Sequence, residues 1–246
     1  MFNKTMSSFR LAALGVAVTG SMMAAQQAVA EVPITENMMM MAEEVEVAAS
    51  VAVSNMYLWR GNNLGNGTPA ISGDINASVG GLYGGIWGSS GDAESGNEFD
   101  IYAGFGGEIE GFMYDLMFVT YVYPSNQVQD DTIGDLSEII LTLGYGPVHF
   151  SYYDNISGAT GYEYYTLSSS IDAFSATLGY QDQEAKGADY THLDLTYSYN
   201  DNLSFTLSQI IDAPDEASCA PGFSVYSGCD DDLKMAFVYS LPIDIK

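Results

Sequence analysis

Two short stretches carry residues able to do acid–base or nucleophilic chemistry. His149 and Ser151 share a face in "VHFSYYD", and His192 stands two residues from Asp194 in "THLDLTY". Serine, histidine and aspartate are the parts of a hydrolytic triad, but residues i and i+2 of one strand stand abreast. Nothing here builds an oxyanion hole or puts a nucleophile on a strained turn. The two histidines make a poor zinc pair, and Asp230, Asp231 and Asp232 lack the spacing of a calcium loop. No catalytic residue, metal or organic cofactor is therefore assigned, and the chain is read as a non-enzyme, an outer-membrane hydrolase being the weakest alternative. A second set is larger: Asp74, Glu98, Asp100, Asp115, Glu138 and Asp194, with Arg60 and Lys234 as their only cationic companions. These charges recur inside apolar segments. Across a wet constriction they would orient polar solutes and favour cations; in a packed interior they would only neutralise one another.

What positions them is a period of two. In "EFDIYAGFGGEIEGFMYDLMFVTYVYP", residues 98–124, Phe99, Ile101, Ala103 and Phe105 alternate with Glu98, Asp100, Tyr102 and Gly104. The same alternation predicts twelve strands, over roughly 45–60, 69–79, 82–89, 97–107, 111–123, 136–145, 148–154, 162–171, 173–182, 189–199, 203–211 and 232–241. One row of each is apolar (Ile71 and Ile75; Leu116 and Phe118; Phe205 and Leu207; Phe237 and Leu241) and the other small or polar. A carboxylate facing lipid near mid-membrane costs about 2 kcal/mol, and one facing water costs little. The two environments are thus hydrocarbon outside and water inside. Tyr57, Trp59, Tyr145, Tyr199 and Tyr239 end apolar rows, where an aromatic girdle would lie. The frame of 162–171 is ambiguous, and Glu163 is not placed.

The connections are of two kinds in strict alternation. "GG" at 80–81, "EIE" at 108–110, "GP" at 146–147, Asp172 and "NDN" at 200–202 are tight; 61–68, 90–96, 124–135, 155–161, 183–188 and 212–231 are long and polar. That rule predicts an all-β fold: a closed up-and-down antiparallel transmembrane β-barrel of about 12 strands, tight turns at one rim and long loops at the other. Closure leaves no edge unpaired in lipid. The Arg60 end of the first strand and the Lys234 end of the last then meet at the long-loop mouth, as one basic spot facing Asp74, Glu98 and Asp100.

Composition agrees. Residues 1–30 read as a secretory signal peptide: Lys4 and Arg10, an apolar run, then "AVA" before Glu31. Residues 31–44, with four consecutive methionines, read as a flexible leader, and 45–246 as the barrel. Past residue 30, four basic residues face 32 acids, which excludes nucleic acid and anionic headgroup surfaces as partners. Cys219 and Cys229 are expected to form one disulfide in an exported chain.

The stretches "YLWRGNNLGNGTPAISGDINASVGGLYGGIWGSS", "EFDIYAGFGGEIEGFMYDLMFVTYVYPS", "EIILTLGYGPVHFSYYDN" and "YYTLSSSIDAFSATLGYQD" resemble the TorF family of porin-like proteins, long catalogued as a conserved hypothetical family of Gram-negative bacteria. The resemblance runs from about Val51 to Leu241. It implies an outer-membrane barrel with channel activity and supplies no catalytic residues. The chain departs from many such barrels in its end: alternation stops at Leu241, before "PIDIK", rather than on a terminal aromatic. The expectation is a cation-leaning, passive channel for ions or small polar solutes in the Gram-negative outer membrane. It would be exported through the Sec route and inserted by the outer-membrane assembly machinery among outer-membrane lipids. The alternative is a non-conducting structural or surface-binding barrel.

Overall fold

The computed structural model describes residues 45–125, 132–158, 161–219 and 227–245. The expected signal peptide and leader lie outside the described residues. Among those residues there are no helices, and fourteen strands follow in order. They are β1 (Glu46–Ser54), β2 (Leu58–Trp59), β3 (Asn62–Asn63), β4 (Ala70–Val79), β5 (Leu82–Asp92), β6 (Gly96–Ile109) and β7 (Phe112–Val122). After these come β8 (Leu136–Tyr145), β9 (Val148–Ser157), β10 (Glu163–Ile171), β11 (Phe174–Asp182), β12 (Tyr190–Ser198), β13 (Leu203–Asp212) and β14 (Lys234–Ile243). Twelve of them close an antiparallel barrel in sequential order, with β1 paired to both β4 and β14. The remaining two, β2 and β3, form a separate hairpin.

The tight turns take left-handed backbone where two-residue hairpins need it. Gly80 and Gly81 have φ of 57° and 82°, and Glu110 and Gly111 have 52° and 82°. At the long-loop ends the ladder is less regular. All three register shifts fall there, between Ser89 and Asp92, between Ser137 and Glu138, and between Thr191 and His192.

The outward rows are the apolar ones: Ile75, Phe105, Leu116, Phe150, Leu195, Leu207 and Phe237 are all exposed. Tyr145, Tyr199 and Tyr239 lie outward among them. On β9–β11 an outward tyrosine row, Tyr152, Tyr165 and Tyr180, is in register, and one step nearer the long loops Asp154, Glu163 and Asp182 are in register too. Glu163, unplaced by alternation, accepts hydrogen bonds from Tyr152 and Tyr165 on this outer face.

The first strand departs from expectation. It ends at Ser54, not at residue 60, and residues 55–69 turn into the barrel instead of running on to an external loop. Asn55 ends the ladder by substituting its side chain for backbone: Nδ2 donates to Met235 O at 3.0 Å, and Phe237 N donates to Oδ1 at 2.8 Å. Ser54 Oγ donates to Met56 O at 2.7 Å and closes the bend. Tyr57 and Trp59 are thereby inside, not in the outer girdle. Tyr57 and Leu64 pack against Trp87, Met117, Val119 and Ile140, so the apolar core lies within the barrel.

Candidate functional site in the barrel interior

The inner segment is built around the β2–β3 hairpin. Arg60 and Gly61 form its two-residue turn, both with positive φ, 47° and 79°. Such turns favour Asn-Gly. A left-handed arginine costs roughly 1–2 kcal/mol, so the side chain and not the turn accounts for arginine here. Gly61 is required twice over. Beyond its φ, a Cβ there would sit 2.6 Å from His192 Cβ and 2.7 Å from Ile210 Cδ1.

The Arg60 guanidinium is buried at the centre of a built environment. Nη2 donates to both Glu138 carboxylate oxygens, at 2.7 and 2.9 Å, and Nη1 donates to Gln181 Oε1 at 3.2 Å. Its carbon lies over four rings, Trp59 and Tyr164 at 4.3 Å, Tyr153 at 5.0 Å and Tyr162 at 5.4 Å from the centroids. Tyr121 Oη donates to Glu138 Oε2 at 2.6 Å. Burial works most strongly against a charge on Arg60, but Glu138 together with Tyr162, Tyr121 and Tyr164 more than offsets it and holds the guanidinium above its ordinary pKa.

Further contacts lock the segment. Asn62 Nδ2 donates to Tyr190 Oη at 2.8 Å, and Gly228 N donates to Asn62 Oδ1 at 2.9 Å. Gly228 adjoins the expected Cys219–Cys229 disulfide, which is present, so the stapled loop grips the hairpin. Tyr57 Oη donates to Glu98 Oε2 at 2.5 Å and Tyr123 Oη to Glu98 Oε1 at 2.9 Å. His192 is held between Tyr164 Oη, 2.8 Å from Nε2, and Asp194 Oδ1, 3.2 Å from Nδ1.

Toward the tight turns the interior changes character. Asp74 accepts from Asn76 Nδ2 and Tyr102 Oη, both at 2.6 Å, and Asp115 accepts from Tyr83 Oη at 2.9 Å. The tyrosines lie over glycines: a Cβ at Gly104 would meet Tyr83 Oη at 2.3 Å, and one at Gly85 would meet Tyr102 Oη at 2.5 Å. Thr142 pairs with Ser151 at 2.9 Å and Thr196 with Thr206 at 2.8 Å. Asp194 Oδ2, Ser208 Oγ and Thr166 Oγ1 are buried with no hydrogen-bond partner in the protein. Such atoms are where water enters an interior.

The charged residues picked out by alternation thus all lie inside the barrel, but not in the predicted arrangement. Arg60 and Lys234 do not form one basic spot facing Asp74, Glu98 and Asp100. Arg60, carried inward on the hairpin, pairs with Glu138. Lys234 Nζ donates to the backbone oxygens of Asp230 and Asp232, at 2.6 and 3.1 Å, and lies 3.3 Å from Asp230 Oδ2. Glu98 and Asp100 are neighbours on the Tyr57 side of the inner segment. Ser151 is bonded to Thr142, while His192 does sit on Asp194. Among the described residues no group of three or more His, Cys, Asp or Glu side chains could hold a metal ion. Sequence reasoning missed Gln181 and the tyrosines around Arg60. The available signal was Met117, Val119 and Ile140, apolar residues on the carboxylate-bearing face that require an inner partner.

A family model described as Gcw_chp, a bacterial protein of unknown function, matches residues 40–240. No curated protein matches the chain.

Proposed function

The chain belongs to the Gcw_chp family of bacterial proteins of unknown function, and from that premise we propose that it is an outer-membrane barrel acting as a restricted, cation-leaning channel for ions or small polar solutes. The observation that carries the reading is the partition of the sheet: outward rows are apolar around the closed barrel except where Asp154, Glu163 and Asp182 stand on β9–β11, while six acidic residues, Asp74, Glu98, Asp100, Asp115, Glu138 and Asp194, face inward with, among the described residues, Arg60 and Lys234. The outside suits lipid, and the inside suits water and cations. The resemblance to TorF porin-like proteins supports the same class, with export by a signal peptide and insertion by the assembly machinery. The reading is non-catalytic. His192 is bonded to Tyr164 and Asp194, and among the described residues bonded to it none is a serine, threonine or cysteine.

The inner segment is the restriction. It fills the long-loop half, so conduction is small and set by residues 55–69 rather than by the outer loops. The same packing is what favours the second reading, a non-conducting structural or surface-binding barrel. Ser54 and Ala70 face each other across the β1–β4 ladder, so an Asn-Gly turn can replace 55–69. In planar bilayers the native barrel is expected to give small cation-preferring steps, and the shortened one several-fold larger steps. Anion preference in a salt gradient overturns the electrostatic argument. Silence from both proteins overturns the channel and leaves the second reading.

A further inference from the structure

Nearly every group that holds the Arg60 guanidinium belongs to the barrel wall, not to the segment that carries it. Glu138 is on β8, Tyr153 on β9, Tyr164 on β10, Gln181 on β11, and Tyr162 immediately precedes β10. Only Trp59 comes with the hairpin. The wall therefore presents most of a receptor: a carboxylate whose two oxygens both accept from Nη2, a Gln181 carbonyl oxygen that accepts from Nη1, and the rings of Tyr153 and Tyr164 at 5.0 and 4.3 Å from the guanidinium carbon. Tyr121 fixes the carboxylate from behind. This is how a flat organic cation is recognised, since two of its nitrogens reach separate acceptors and the delocalised charge lies against rings. Glu138 and Gln181 are both buried, so a solute held here would be stripped of water on every side.

The segment supplying the arginine behaves as a tether. Its turn accepts a left-handed arginine, and the segment is anchored independently of the guanidinium: Tyr57 and Leu64 pack into the apolar core, Tyr57 bonds Glu98, and Asn62 bonds Tyr190 and Gly228. A small turn thus delivers one guanidinium to groups that, Trp59 apart, all belong to the wall.

We infer that the wall around Glu138 is a binding site for guanidinium-bearing organic cations, and that Arg60 is its built-in occupant, which a passing solute must replace. Alkylguanidinium fits best. A primary ammonium has a single nitrogen, which cannot stand both where Nη2 meets the two Glu138 oxygens and where Nη1 meets Gln181. The role of the site in solute choice rests on the channel reading; its chemistry does not.

The test is replacement of the tethered group by a free one, in detergent micelles where no conduction is needed. Arg60→Ala should lower the Tm of the whole barrel by roughly 10 °C. Millimolar methylguanidinium should restore much of that loss by binding only the folded state. Methylurea, a neutral molecule of the same shape, and sodium chloride at equal ionic strength should not. Native protein should not respond, its site being filled, and Arg60→Ala combined with Glu138→Gln should not respond either. Equal rescue by methylurea or sodium chloride overturns the site, as does rescue that survives Glu138→Gln. If Arg60→Ala does not refold, refolding yield is the readout, and methylguanidinium but not methylurea should restore it. A barrel that carries no current yet responds to methylguanidinium keeps the site and loses the channel. A conducting barrel whose variant ignores methylguanidinium keeps the channel and loses the site.

Discussion

The two halves of the barrel interior solve the same problem with different material. The half next to the tight turns is lined by glycine, serine and threonine, and its polar groups find partners on the next strand or the next but one. Asp115 is reached from Tyr83, and Thr142, Ser151, Thr196 and Thr206 pair across single ladders. The half under the long loops is filled by tyrosine, tryptophan and buried charge, and its partners come from far along the chain. Arg60 meets Glu138 and Gln181, and Asn62 meets Gly228, 166 residues away. All three register shifts also fall there. Local pairing suffices where side chains are small. A wide lumen holding charge needs an inserted element, and the ladder bends to accommodate it.

If that contrast is correct, cutting a long-range tie should cost far more than cutting a local one. Glu138→Gln leaves the Arg60 charge buried without its carboxylate. Breaking one side of such a pair costs about 3–5 kcal/mol, or a Tm lower by about 6–20 °C in a protein of this size. Thermal unfolding of the refolded barrel, followed by the gel shift between boiled and unboiled samples, reads it. A change of only a degree or two would mean that the hairpin is not a structural tie, and the contrast would collapse.

Intermediate effects test how the tie is held. Removing the disulfide with Cys219→Ser and Cys229→Ser opens a short loop, a loss of about 2–3 kcal/mol by chain entropy. The loss should appear as greater protease sensitivity of residues 55–69, because Gly228 no longer holds Asn62. Protection unchanged from the native barrel would show that the stapled loop merely rests on the hairpin. In the other half, Gly104→Ala puts a methyl group against the Tyr83 hydroxyl, and overpacking of this sort costs about 1–3 kcal/mol. Tyr83→Ala removes the ring itself, whose Cζ would lie 2.4 Å from the new Cβ, and its cost should be less than additive with that of Gly104→Ala; a purely additive double variant would refute the ring-over-glycine packing.

The same division explains what was legible in the sequence. Alternation placed all twelve barrel strands, the tight turns, and the inward and outward rows of every strand but 162–171, because each depends only on near neighbours: Gly80-Gly81 has the backbone freedom of a two-residue turn, and Phe112, Leu116 and Phe118 recur at the pleat period. It failed at Val53–Trp59, where the alternation continues although the strand does not. Tyr57 and Trp59 have the spacing of girdle residues. Nothing local says that Asn55 will close the ladder against Met235 and Phe237, 180 residues or more away. The pairing of Arg60 with Glu138 was likewise invisible, since the period of a strand fixes which face a side chain takes and not what reaches that face from across the barrel. Residues 162–171 were ambiguous for a simpler reason. Glu163 lies on the outer face, where the frame expects apolar residues, and is stabilised there by Tyr152 and Tyr165.

The smallest effect is the sharpest test of local sufficiency. Thr196 and Thr206 are direct partners on β12 and β13, both buried, with their hydroxyls 2.8 Å apart. Thr196→Val removes one hydroxyl at almost constant shape and leaves the other buried with one partner fewer, at a cost of about 1–3 kcal/mol. Removing both, with Thr206→Val added, deletes the need together with the partner, and the double variant should return to within about 0.5 kcal/mol of the native barrel. The comparison is a double-mutant cycle read by urea unfolding in micelles. Recovery in the double variant means the pair is self-contained and the tight-turn half is held one ladder at a time. Additive losses would mean that each hydroxyl also serves the water-facing interior, so that the two halves differ in the size of their side chains but not in the reach of their networks.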